Sequence, residues 1–236
     1  MTHWASVARY GSIDHKQVSP HNPHFIRFPT NMVSLQPETS GVNQTGANYV
    51  IRKFVFPNTK LNVLKNKVQV GTATRVELVT SLIYKTTMEA ATTTSGSFRP
   101  SSLLIPVDIR KKCYPKLPQT SVGNFTSFMM VKTMQRNETS LSSLVLEIKK
   151  EKMELERVKG LQHACQHVGS FLSRLANENS DDDAAGASIV QAYANKTGWV
   201  LMDTPDGDGI EAHVVLEDKN MEIFENDKEM LSFCQR

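Results

Sequence analysis

The sequence predicts an α/β or α+β chain, read here as α/β, a mixed sheet with flanking helices. Three observations point there. Runs rich in aromatic and β-branched residues, such as Tyr49–Phe56, alternate with segments of helical period. The run Thr204-Pro-Asp-Gly-Asp-Gly209 holds the residues of a tight hairpin. No internal repeat is present, and no apolar run approaches the ~18 residues that a membrane span needs. A length of 236 residues allows one large domain or two small ones with a real core. Lys and Arg total 27 against 24 Asp and Glu, so the formal charge is +3, too weak to imply a nucleic-acid or anionic-membrane partner. Charged residues at 22% and hydrophobic ones at 39% are ordinary for a globular protein and exclude wholesale disorder. Met1–Tyr10 has no basic stretch followed by an apolar one, so it does not read as a secretory signal. Cys113, Cys165 and Cys234 are odd in number and far apart, and make neither a disulfide framework nor a zinc knuckle. The expectation is a cytoplasmic chain in a reducing compartment. The sequons at Asn43, Asn124, Asn137 and Asn195 are then chemically idle.

The elements follow in order. Residues 1–9 read as the end of a helix stopped by Gly11, and residues 12–48, with four prolines and a polar run, as an irregular connection. That connection is the candidate domain boundary, dividing residues 1–48 from 49–236. Tyr49–Phe56 is a strand ended by Pro57. Asn58 caps a short helix with Leu61, Leu64 and Val68 on its apolar face. Thr74 and Glu77 form a capping box for a second helix with Val76, Val79, Leu82 and Ile83 inward, followed by a loop over Thr92–Pro100. Leu103–Ile109 is a strand whose Pro106 argues for an edge or a bulge. Lys111–Gly123 is a proline-containing excursion and Phe125–Met134 a strand. Residues 140–177 carry the strongest helical period, with Gly160 and Gly169 as places to bend or split it, and Asn177–Gly186 is a solvated loop. Trp199–Asp203 and Ile210–Leu216 flank the hairpin, and a last helix runs from Glu217 or Asp218 to about Phe233.

Few constellations carry chemistry. His163 and His167, at i and i+4, could share a metal ion, but no third ligand is near, and a polar helix face explains them better. Asp203, Asp206 and Asp208 resemble a calcium loop whose spacing fails for want of a Glu at the twelfth position, so a hairpin is the better reading. Lys149, Lys150 and Lys152 among Glu147, Glu151, Glu154 and Glu156 read as a helix surface laced with ion pairs. No nucleophile elbow, Walker loop or dinucleotide fingerprint appears, and nothing singles out a Ser/His/Asp triad.

The stretch Ser102–Asn124, SLLIPVDIRKKCYPKLPQTSVGN, resembles the central signature of the plant BAHD acyltransferases, V-N-x-R-x-x-x-x-P-P-L-P followed by G-N. Arg110, Leu117, Pro118, Gly123 and Asn124 match it, whereas Asp108 stands for the usual Asn and Lys116 for one Pro. Thr74–Lys85 is similar to the helix before that signature. Met202–Ala212 and Leu216–Phe233 resemble the C-terminal hairpin and helix, with His213 where Trp is common. The likeness runs in order along nearly the whole chain and is closest to the vinorine-synthase-like branch, whose members acetylate alkaloids and alcohols.

The resemblance implies a chloramphenicol-acetyltransferase-like second domain of a two-domain enzyme, whose acyl-CoA and acceptor alcohol or amine meet in a tunnel between the domains. The His of an H-x-x-x-D motif then serves as general base. None of the seven histidines here is followed four residues on by Asp, and D-F-G-W-G is absent, with the stretch between about Ala187 and Lys196 shortened. The expectation is therefore an incomplete acyltransferase, beginning just after the family's catalytic His and inactive alone, with no catalytic residue and no metal site. Acyl-CoA is a co-substrate in the family and no cofactor is expected to be tightly bound. The alternative is a non-catalytic module that binds CoA or a partner chain. Thr74 and Arg75 at a helix N-terminus are candidate phosphate contacts. Asp108, Arg110, Gly123 and Asn124 are the signature residues carried over with them. A domain face left without its neighbour should be apolar and exposed, and so prone to self-association.

Overall fold

The computed structural model describes residues 48–112, 125–158, 163, 166, 170 and 197–235. Several expectations lie outside them: the helix end at 1–9, the connection and boundary at 12–48, most of the excursion at 111–123 with Gly123 and Asn124, His167, the 177–186 loop and the shortened 187–196 stretch.

Strands and helices are interspersed, as the predicted class requires, but every pairing among the described strands is antiparallel, where the sequence predicts a mixed sheet. Strand β1 (Tyr49–Pro57) pairs antiparallel with β5 (Gly209–Glu217), which pairs antiparallel with β4 (Gly198–Asp203), giving the order β1-β5-β4. The β4–β5 hairpin closes as the Asp-Gly signal predicts, with Gly207 at φ +74°, where a side chain would be strained. Strands alternate their side chains between two faces. On one face Phe54, Phe56, Ile210, Ala212, Val214 and Leu216 are almost wholly buried, with Trp199 and Leu201 packed against them. Each large side chain buried there contributes ~1.5–3 kcal/mol.

Helices α1 (Asn58–Val68), α2 (Arg75–Ser95), α4 (Asp218–Phe224) and α5 (Lys228–Phe233) cover that face. Leu61, Leu64 and Val68 point inward as their spacing predicts. Asn58 is not the cap of α1. Pro57 takes that position with extended backbone, and the Asn58 side chain turns away to donate to Asp208 Oδ1 at 3.3 Å. In α2, Val79, Leu82 and Ile83 are buried, but Val76 is 54% exposed, because Glu77 and Leu78 turn inward in its place. The helix also runs through Thr92–Ser95, predicted as loop, and stops at Gly96 with φ +77°. The predicted last helix is two: Asp227 breaks it and recaps α5 by accepting from the Met230 N–H at 2.7 Å.

The second layer is a hairpin-like pair, β2 (Ser101–Asp108) with β3 (Thr126–Thr133), in which Pro106 lies on a strand paired, among the described residues, on one side only. Two strands alone are marginal in water. Helix α3 (Leu141–Glu156) supports them, and it ends before the predicted bend at Gly160. Its Leu144 and Ile148 pack with Tyr84, Met88 and Val131, and its Leu155 packs with Ile109, Phe125 and Met129.

Candidate functional site

The N-terminus of α2 is built from its capping box. Thr74 Oγ1 accepts from the Glu77 N–H at 3.2 Å, and Glu77 Oε2 accepts from the Thr74 N–H at 2.9 Å. The Glu77 side chain is only 7% exposed, and two lysines of α3 reach it, Lys149 Nζ at 3.1 Å and Lys152 Nζ at 3.5 Å. Lys149 also donates to the Thr72 carbonyl at 2.8 Å, which ties the α1–α2 turn to α3. Burial pushes the Glu77 carboxyl up. The Thr74 N–H and the charges of Lys149 and Lys152 outweigh it and hold the carboxyl below its ordinary value. The lysines of α3 therefore do more than lace a surface: two of them neutralise a buried carboxylate 70-odd residues away in sequence.

Arg75 faces the hairpin. Its Nη1 donates to Asn58 Oδ1 at 2.9 Å and its Nη2 lies 3.2 Å from Asp203 Oδ1. The first turns of α1 and α2 and the turn end of the β4–β5 hairpin are joined by this one guanidinium. It remains 46% exposed. Because Glu77 already supplies negative charge to the α2 N-terminus, an anion there would be drawn by Arg75, Lys149 and Lys152 rather than by free backbone donors.

Asp108 and Arg110 form a second unit at the end of β2. Asp108 Oδ1 accepts from the Arg110 N–H at 2.9 Å, and its Oδ2 lies 3.1 Å from Arg110 Nη1. That backbone hydrogen bond first, and then the Arg110 side chain, hold the Asp108 carboxyl below its usual range. The guanidinium stacks over the Phe125 ring, 5.1 Å from its centroid, while the Ile109 N–H donates to the Phe125 carbonyl at 2.9 Å. The turn thus fixes the two ends of the segment that carries Gly123 and Asn124. Helix α3 connects the two units: Lys149 and Lys152 touch Glu77, and Leu155 one turn later packs with Ile109 and Phe125. Glu77, the capping-box partner of Thr74, and Ile109, between Asp108 and Arg110, thus both pack on the same helix.

Sequence reasoning missed a further polar group. On β5, His213 Nε2 and Glu211 Oε1 are 2.7 Å apart, and Lys53 Nζ of β1 is 3.4 Å from Glu211 Oε2. The His213 hydrogen bond first, then Lys53, lower the Glu211 carboxyl. The signal was the i, i+2 spacing of Glu211 and His213, which puts both on one face of a strand.

His163 is exposed and helical, and among the described residues no group of three possible metal ligands is present. Asp206 accepts from Thr204 Oγ1 at 2.5 Å and from the Asp208 N–H at 3.0 Å, the hydrogen bonding of a turn. No helix among the described residues is long and apolar enough to cross a membrane.

The model of the Transferase family matches residues 1–188. The chain is 31% identical to a 17,18-epoxy-17-hydroxycur-19-ene N-malonyltransferase of Strychnos nux-vomica over 99% of its own length and 55% of that protein. It is 29% identical to akuammiline synthase 1 of Alstonia scholaris, over 98% of its length and 59% of that enzyme. The chain therefore spans somewhat more than half the length of these relatives. Among solved structures, vinorine synthase superposes with a TM-score of 0.60 at 19% identity, over 79% of this chain and 48% of that one. TRI101 of F. sporotrichioides, solved with coenzyme A and T-2, superposes with a TM-score of 0.59 at 14% identity over 94% of this chain and 55% of that one. The fold is theirs, and the family match over residues 1–188, joined to a relative 31% identical along almost the whole chain, makes this protein a member of the BAHD acyltransferase family.

Proposed function

We propose that the chain is the second-half module of an acyl-CoA-dependent transferase that moves an acyl group to an alcohol or amine of a plant specialised metabolite. The observation that carries this is the family match together with relatives named for such transfers: an N-malonyltransferase and a deacetylvindoline O-acetyltransferase. Acyl-CoA is a co-substrate that comes and goes. Thr74 and Arg75 offer one cationic contact for its phosphates, and Arg110, braced by Asp108, offers a second.

These 236 residues contain no H-x-x-x-D and no D-F-G-W-G, so alone they lack the family's general base. The loss of a general base costs ~10²–10⁴-fold, and loss of positioning adds to it. A thioester-release assay with acetyl-CoA or malonyl-CoA and a panel of alkaloid alcohols and amines should show no turnover by the chain alone. Turnover should appear when it is co-expressed with the first half of the Strychnos nux-vomica relative. Turnover by the chain alone at the rate of a full-length relative would overturn the inactive reading. Calorimetric titration with coenzyme A tests the alternative, a CoA-binding module without catalysis, and Arg75→Ala should weaken any binding seen. The reading also places the chain in the cytoplasm and has it self-associate through an exposed face.

A further inference from the structure

The sheet β1-β5-β4 has a second face, formed by the residues that alternate with its core. The register arranges it as a grid of three strands by three rows. Ile51, Val215 and Gly198 lie across one row; Lys53, His213 and Val200 across the next; Val55, Glu211 and Met202 across the third. Ile51 is 62% exposed, Val200 61% and Met202 48%, so three of the large exposed apolar side chains of the described residues share this one face. Of the others, Leu146 and Met153 share α3 and the rest lie apart. Exposed apolar side chains gathered around a polar centre mark a candidate interaction surface.

The grid is self-complementary. Turn a second copy face to face about a two-fold axis that lies along the diagonal from Val55 through His213 to Gly198. Lys53 then meets Glu211 of the other copy, Ile51 meets Met202, and Val215 meets Val200. The three residues on the diagonal meet themselves. Each cation is opposite an anion and each apolar side chain opposite an apolar one, twice over, as an isologous contact requires. Strands of the two copies cross near a right angle, one of the two regular ways that sheets stack. Axes parallel or perpendicular to the strands do not work, because they place Glu211 against Glu211 or Lys53 against Lys53, and like charges so placed are costly.

We infer that this face is the surface through which two copies of the chain associate, crossed sheet on sheet with His213 on the axis. The inference gives the self-association of the proposed function a specific surface, and it does not depend on acyl transfer. Sedimentation velocity of the whole chain over a range of concentrations should show a monomer giving way to a dimer. Ile51→Lys and Val200→Lys, both at exposed positions that the core does not use, should each raise the dimer Kd at least about tenfold. The charges give the sharper test. Lys53→Glu alone and Glu211→Lys alone each set like charges across the axis and should sediment as monomers. An equimolar mixture of the two should recover the dimer, because each chain then meets its opposite. Circular dichroism confirms that every variant is folded. A wild-type chain that stays monomeric throughout, a dimer indifferent to both charge reversals, or a mixture that fails to reassociate overturns the inference. A failed transfer assay with an intact dimer would count only against the acyltransferase reading.

Discussion

At the scale of single residues, Glu77 closes the capping box and neutralises Lys149 and Lys152 from a nearly buried position. Its carboxyl, like that of Glu229 between Lys67 and Lys85, is held below the ordinary carboxylate value in spite of burial. The sign follows directly. The unfolded chain holds protons on these groups where the folded chain does not, so their contribution is full above the unfolded pKa and is lost as pH falls through the lower folded value. Glu77→Gln keeps an oxygen for the Thr74 N–H but removes the charge. Urea melts should show it less stable than wild type at pH 7, with the gap narrowing as the pH drops below about 4; a gap that stays constant would count against the ion pairs. Thr74→Ala should cost ~1 kcal/mol, the usual effect of losing a cap. Gly209 is constrained differently. A Cβ there would lie 2.6 Å from the Phe56 carbonyl oxygen, which is strand backbone and cannot swing away. Gly209→Ala should therefore destabilise by ~1–3 kcal/mol, as overpacking does, read as a lower urea midpoint.

Whole elements depend on caps whose signals differ in how easily they are read. Asp227 accepts from the Met230 N–H and so starts α5, whose Met230 and Phe233 are buried in the core; the chain beyond returns to β1, where Gln235 and Val55 exchange hydrogen bonds. Asp227→Ala should cost ~0.5–2 kcal/mol and raise amide exchange over 228–235 before the rest of the molecule; uniform exchange would mean that α5 is held by packing alone. The Thr74-x-x-Glu77 pattern and the Asp-Gly hairpin are written in adjacent residues, and both are legible in the sequence. Asp227 was not, because a periodic pattern runs straight through it and only the Asn226-Asp227 pair marks the break. The overrun of α2 has a similar cause: a threonine-rich end disfavours helix intrinsically, yet Gly96 supplies a left-handed stop and buried Ala90 keeps that end packed. For the candidate site, the sequence showed which residues stand at α2 and at the end of β2. It could not show that Arg75 is joined to Asp203 or Glu77 to Lys149, since those partners are brought together by the packing of α3 and the hairpin.

At the scale of the molecule, α3 serves three clusters of core residues. Leu141 and Val145 belong to the large cluster under the β1-β5-β4 sheet, Leu144 and Ile148 to the cluster that seats β3, and Leu155 to the small cluster at the far end of the β2–β3 pair. A two-stranded sheet has little stability of its own, so the hold on Asp108 and Arg110 is only as firm as the last turn of α3. Leu155 is 2% exposed, and truncating a buried Leu costs ~2–5 kcal/mol. Because this cluster holds only a few residues, the loss should be taken locally. Leu155→Ala is expected to speed amide exchange at Ile109 and in β2 and β3 while β1 and β5 keep their protection. Val145→Ala, whose side chain lies in the large cluster, should instead lower protection in both layers. If Leu155→Ala weakened every strand equally, the two layers would unfold as one unit, and the turn at Asp108 and Arg110 would be as rigid as the main sheet.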